Sequence, residues 1–104
     1  MQSAEELIRS LGDYYQYIKK KARTGGDLYT SFEGYHDFVL DNWPKDMPDN
    51  GNWISEMKSV LSHIWKKRNV VGLSRSRELR SLRDDAVEAI HSINMKFMMH
   101  LKQS

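Results

Sequence analysis

The sequence contains no cysteine, only two prolines and six glycines, and no long apolar run. The absence of cysteine excludes disulfides, thiolate catalysis and cysteine-based zinc sites, and it suits a reducing compartment. No stretch approaches the roughly 18 apolar residues that a membrane helix needs, and the N-terminal residues are too polar for a signal peptide. We therefore expect a cytoplasmic protein without a targeting segment or a membrane contact.

The composition is that of a small helical domain. The 104 residues include 39% hydrophobic and 29% charged residues, with a formal net charge of +2. A chain of this length builds one hydrophobic core, but not the deep scaffold on which most metabolic enzymes hold a substrate and a cofactor. We expect residues 1–104 to form a single domain that binds or regulates rather than catalyses.

Apolar residues recur three or four positions apart, and alternation with a period of two never persists, which predicts an all-α fold. Ser3 with Glu6 and Thr30 with Glu33 have the spacing of capping boxes at helix starts, and Asn52 is of a residue type favoured at an N-cap. The prediction is a compact four-helix bundle-like domain with a long C-terminal helix, over residues 4–23, 31–42, 53–68 and 75–102.

Glycine and proline mark the predicted connections. Gly25 and Gly26 are interpreted as the break after the first helix, and segment 43–52, which holds both prolines, as the longest loop. The last helix would span roughly 42 Å, so its C-terminal turns are expected to overhang the bundle. The residues predicted for the core are Leu7, Leu11, Ile18, Phe32, Val39, Trp53, Met57, Leu61, Ile64, Leu79, Leu82, Ala86, Ile90 and Phe97.

Aromatic residues crowd the first two thirds of the chain. Exposed aromatic rings can stack on nucleic-acid bases or anchor a protein interface. Because most of them have the spacing of core residues, we expect them to pack inside, with Tyr17 and Trp43 as the exceptions.

Three clusters of basic residues are the first candidate binding feature, because affinity for nucleic acid grows with the number of phosphates that cations neutralise. The clusters at the ends of helices one and three also suit the helix dipole, whereas the cluster that opens helix four opposes it. Spacing alone does not show whether the clusters converge. The residues are Lys19, Lys20, Lys21 and Arg23, then Lys66, Lys67 and Arg68, then Arg75, Arg77, Arg80 and Arg83.

Residues 69–83 also superficially resemble the turn and recognition helix of helix-turn-helix regulators, in which a glycine is followed by an apolar residue, a serine and basic positions. However, Lys67, Arg68 and Glu78 occupy positions that would pack the two helices together. We therefore assign no family.

A second candidate feature lies near the end of helix four. On the helical wheel, Met95 and Met99 fall almost opposite the apolar stripe, with His91 on the flank. Flexible methionines suit adaptable contact surfaces, so these three residues are a candidate interface with a protein partner or a second copy. The alternative is that helix four is covered on both sides.

The sequence offers little for catalysis. The four histidines have no metal-ligand spacing, and there is no nucleophile elbow or phosphate-binding glycine loop. We expect no catalytic residue, metal or small-molecule cofactor. The leading hypothesis is a non-enzymatic interaction or regulatory module that acts alone or as a homodimer through Met95 and Met99. The alternative hypothesis is a nucleic-acid-binding module that uses the basic clusters at the end of helix three and the start of helix four.

Overall fold

A computed structural model describes residues 3–49, 52–69 and 73–103, apart from the side chains of 73–76 and 103. These residues form four helices and no strand, which confirms the predicted all-α class. None of the helices, over the described ranges, is both long and apolar enough to cross a membrane. The helices are α1 (Ala4–Lys21), α2 (Gly25–Asp41), α3 (Trp53–Lys67) and α4 (Leu73–Gln103).

The helices form an up-and-down bundle. Each packs against the next in the chain, α4 packs against α1 to close the ring, and α2 touches α4 across the centre. The molecule measures 48 × 24 × 18 Å. Because consecutive helices run in opposite directions, the C-termini of α1 and α3 lie at the same end as the N-termini of α2 and α4.

The start of α1 follows the predicted capping pattern. The Ser3 hydroxyl accepts a hydrogen bond from the backbone N–H of Glu6 at 3.2 Å. Glu5 and Glu6 occupy the first turn, and three lysines occupy the last, so both ends suit the helix dipole. The helix ends at Lys21, two residues earlier than predicted.

Helix α2 begins six residues earlier than predicted, at Gly25 rather than residue 31. Its N-cap is Thr24, whose hydroxyl accepts from the Asp27 N–H, while the Asp27 carboxylate accepts from the Arg23 N–H. These two hydrogen bonds stabilise the first turn in spite of the two glycines. Thr30, predicted as the cap, lies inside the helix and donates its hydroxyl to the Gly26 carbonyl.

The predicted overhang of α4 is wrong, because the loop after α2 packs along its C-terminal turns. The Trp43 ring meets Phe97 edge-on at 5.4 Å, and its indole N–H donates to the Met47 carbonyl. Met47 is buried, and Asp46 lies 3.0 Å from the Nε2 of His100. Trp43, expected to be exposed, is therefore partly buried against the core.

The N-cap of α3 also differs from the prediction. Asn52 is at the cap position with a left-handed backbone, at φ 57°, but its side chain makes no capping hydrogen bond. The carboxylate of Asp49 does so instead, accepting from the Trp53 N–H at 2.7 Å. Asparagine suits position 52 because it tolerates a positive φ better than most residues.

The core contains eleven of the fourteen predicted residues as buried side chains. The other three, Trp53, Leu61 and Leu79, lie at its edge and are partly buried. Six buried residues of the described chain are absent from the list of predicted core residues, although Tyr35 was among the aromatic residues expected to pack inside. They are Ala22, Leu28, Tyr35, Met47, Ala89 and Ile93.

A polar link crosses this apolar core. The buried Tyr35 of α2 donates its hydroxyl to the Asn94 side-chain oxygen at 2.8 Å, and the Asn94 amide donates to the Leu11 carbonyl at 3.1 Å. One asparagine on α4 thus joins α1 and α2. Burial raises the pKa of Tyr35 above its ordinary value.

Candidate nucleic-acid interface

Four helix ends meet at one end of the bundle, and three contacts between them define it. An added Cβ on Gly25 would lie 2.6 Å from the Arg68 carbonyl oxygen, so α2 begins directly against the end of α3. The Lys67 ammonium lies 4.0 Å from the Glu78 carboxylate, which joins α3 to α4. The Arg83 guanidinium donates to the Ala22 carbonyl at 2.9 Å, which joins α4 to α1.

All three basic clusters belong to this end, which we call the basic end and define as residues 19–29, 63–69 and 73–83. These segments contain eleven of the chain's 16 Lys and Arg residues and two of its 14 Asp and Glu residues, so they carry a formal charge of +9 and the remainder carries −7. Asp84 and Asp85, the next residues of α4, begin the acidic remainder. The small net charge of +2 therefore hides a strong separation of charge along the bundle.

Most cations of the basic end face solvent. The side chain of Arg75, one of the predicted nucleic-acid contacts, is not among those that the structure describes. Arg68 and Arg83 are partly buried and serve the fold through contacts with Trp65 and Ala22. The exposed cations are Lys19, Lys20, Lys21, Arg23, Lys66, Lys67, Arg77 and Arg80.

The start of α4 shows how its arginines fit the structure although they oppose the helix dipole. Arg83 caps the chain just beyond α1, where Ala22 carries a carbonyl that the helix itself does not use. Lys67 pairs with Glu78 where a helix-turn-helix motif would need apolar packing. Among the contacts of the described side chains, none compensates Arg77 or Arg80 in this way, and both are exposed.

An aromatic cluster lies within the basic end, at the last turn of α3. Trp65 is 47% exposed, the Arg68 guanidinium stacks 3.3 Å from the centre of its ring, and the Tyr29 ring lies 4.8 Å away. The Tyr29 hydroxyl donates to Glu33 at 2.8 Å, and this hydrogen bond raises the pKa of Tyr29. The sequence analysis predicts that Trp65 is packed inside. Its position directly before three consecutive cations was the feature of the sequence that indicated exposure.

A groove of about 360 Å³ lies between α2 and α3 beside this cluster. Its floor includes His36, whose Nδ1 is 3.1 Å from the Asp37 carboxylate. The Nε2 of the same ring is buried. Among the buried polar atoms of the described side chains, it is the one that lacks a hydrogen-bond partner. The lining residues are Tyr29, His36, Lys58, Leu61, Ser62 and Trp65.

The predicted methionine surface lies on the opposite side, where α4 meets α1. Met95 and Met99 are 44% and 56% exposed, and His91 is exposed with its ring 6.3 Å from that of Tyr15. Met95 also lines a shallow groove of about 370 Å³ between the two helices. The alternative that α4 is covered on both sides therefore fails for these two methionines.

The remaining cluster of titratable groups is acidic and lies in a groove of about 250 Å³ between α3 and α4, lined in part by Glu56, His63, Asp85 and Glu88. In the part of the chain that the structure describes, no three His, Asp or Glu side chains are arranged to hold a metal ion.

Comparisons with known protein families, curated proteins and solved structures find no match. The chain's own charges and surfaces are the basis for assigning a function.

Proposed function

We propose that the protein is a non-enzymatic module that binds nucleic acid through its basic end. The observation that carries this proposal is the convergence of the three basic clusters. Phosphate contacts supply most of the affinity in sequence-independent binding, and that affinity rises with each phosphate neutralised. Exposed cations from three different helices offer several such contacts at one end of the bundle.

The charge separation supports the same proposal. The acidic remainder of the bundle repels a polyanion, so a nucleic-acid strand approaches the protein at its basic end. Arg77 and Arg80 receive no support from the helix dipole. Phosphates bound at the basic end would offset the repulsion between these side chains and the positive end of the helix dipole.

The test is fluorescence anisotropy with a labelled single strand and the corresponding duplex over a range of salt concentrations. We expect the logarithm of affinity to fall linearly with the logarithm of salt, with a slope of about −0.7 to −0.9 per phosphate contacted. Replacing both Arg77 and Arg80 with alanine is expected to make the slope shallower. The matched control replaces Lys45 and Lys102, two exposed cations of the acidic remainder, and loses the same charge.

Two results would overturn the proposal. One is the absence of binding to either nucleic acid at low salt. The other is an equal loss in the two double variants, which would make the effect one of net charge rather than of the basic end. Binding to vesicles that contain phosphatidylserine, without binding to nucleic acid, would assign the basic end to an anionic membrane surface instead.

A second candidate function is self-association through His91, Met95 and Met99, and it is favoured by the exposure of the two methionines. Light scattering is expected to give the mass of a dimer for the natural protein and of a monomer after both methionines are changed to glutamate. Leu40→Glu, at an exposed apolar position on α2, is the control and should stay dimeric. A natural protein that is monomeric at every concentration contradicts this candidate.

A further inference from the structure

The exposed Trp65 ring is the feature that the binding of phosphates leaves unexplained. A tryptophan that is 47% exposed loses much of the benefit of burial, yet Trp65 lies among the cations of the basic end. Proteins that bind single strands combine a positively charged surface with aromatic rings on which bases stack. Trp65 and the exposed cations Lys66 and Lys67 place both elements at the end of one helix.

The groove between α2 and α3 has the size of a ligand site. Its volume of about 360 Å³ lies within the range of small-molecule pockets, which starts near 300 Å³. Trp65 and Tyr29 supply aromatic surface, Leu61 supplies aliphatic surface, and Lys58 supplies a cation at the far end. A flat heteroaromatic group attached to a phosphate chain matches this combination.

His36 lines the same groove and carries a buried ring nitrogen without a hydrogen-bond partner. Because Nδ1 lies beside the Asp37 carboxylate, we assign the ring hydrogen to Nδ1, which makes Nε2 an acceptor. A buried acceptor without a partner is unfavourable. Because Nε2 has no accessible surface, a base in the groove reaches it only after the His36 ring turns.

We infer that this groove binds an unpaired nucleobase, which stacks on the exposed part of Trp65 while cations of the basic end hold its phosphates. The inference rests on the proposed function and specifies it: the preferred ligand is a single strand. In a duplex, both faces of each base are covered by neighbouring bases, so no base is free to enter the groove. A duplex contacts the cations alone.

The experiment compares Trp65→Ala with Tyr17→Ala, which removes another exposed aromatic residue, one on α1. Anisotropy is measured with four probes: oligothymidylate, its uridine counterpart, a duplex of the same length, and an abasic oligonucleotide. We expect Trp65→Ala to weaken binding to the two single strands about fivefold or more, the effect of losing one stacked base. Affinity for the duplex and the abasic strand should stay the same, and Tyr17→Ala should change none of the four.

The abasic strand distinguishes two causes of weaker binding, the loss of base stacking and the displacement of a cation. Since Arg68 stacks on Trp65, removal of the indole also frees this guanidinium. If that were the cause, affinity for the abasic strand would fall as well, and the inference would be wrong. Trp65→Phe, which keeps an aromatic ring beneath Arg68, should restore part of the lost affinity.

The outcomes also separate this inference from the proposed function. If all four probes bind and Trp65→Ala behaves like Tyr17→Ala, the base site is refuted and the basic end stands. If none of the probes binds the natural protein, the proposed function is refuted. Quenching of indole fluorescence by oligothymidylate in the natural protein, and its reduction in Trp65→Ala, is the independent optical readout of stacking.

Discussion

The two adjacent glycines at the start of α2 are expected to respond in opposite ways to the same substitution. A Cβ on Gly25 would lie 2.6 Å from the carbonyl oxygen of Arg68 and 2.7 Å from its Cα. Comfortable contact needs about 3.5 Å, so the ends of α2 and α3 would have to separate by on the order of 1 Å. At Gly26 the nearest atom is the Thr24 hydroxyl oxygen at 4.0 Å, and an added methyl group fits.

These distances set the expected magnitudes. Gly25→Ala should lower the free energy of unfolding by about 1–3 kcal/mol, the usual cost of overpacking, because the clashing atoms are backbone and have no rotamer by which to move away. Gly26→Ala should leave the stability unchanged or raise it by up to about 1 kcal/mol, since alanine has the higher helix propensity.

The assay is urea denaturation followed by circular dichroism, with the midpoint and slope compared for the two variants and the natural protein. Gly12→Ala, in the middle of α1 with no atom within 4 Å of its added Cβ, is a further control for helix propensity. Equal midpoints for Gly25→Ala and Gly26→Ala would refute the close approach of α2 to α3, and with it one of the contacts that define the basic end.

Two further predictions concern the core. Ile90→Asp places an unpaired charge at a fully buried position and should abolish cooperative thermal unfolding; an unchanged melting curve would contradict the core assignment. Tyr35→Phe should lower the free energy of unfolding by about 1–3 kcal/mol, because the side-chain oxygen of the partly buried Asn94 loses its donor, whereas Tyr17→Phe at an exposed site should have little effect. Because burial raises the pKa of Tyr35, its contribution to stability is complete below the unfolded value of about 10 and declines as the pH rises above it, so Tyr35→Phe should lose less stability in alkaline solution than the natural protein.

The four helices were predictable because each has a strong local pattern. The Ser3 cap starts α1 as expected, and the apolar stripe of α4, from Leu82 to Phe97, is buried as its spacing indicates. The error at the start of α2 has an equally local origin. Two glycines are typical of a break between helices, and the tertiary contact with Arg68 that explains Gly25 is invisible in the sequence.

The candidate site was predictable in its parts and not in its assembly. The basic clusters were evident, but whether they share a surface depends on helix directions and on the connection between α3 and α4. The exposure of Trp65 was missed because its spacing is that of a core residue; its ring lies at the edge of the α2 and α3 contact, against Tyr29. The exposure of Met95 and Met99 agrees with their position on the helical wheel.

Helix formation and the choice of a buried face depend on residues within a few positions of each other, and for that reason the amino-acid order alone specifies them here. The separation of charge along the bundle, the meeting of Gly25 with Arg68 and the groove beside Trp65 join residues far apart in the chain. Such features arise only when antiparallel packing brings the four helix ends together, since no local pattern records which distant side chains will become neighbours.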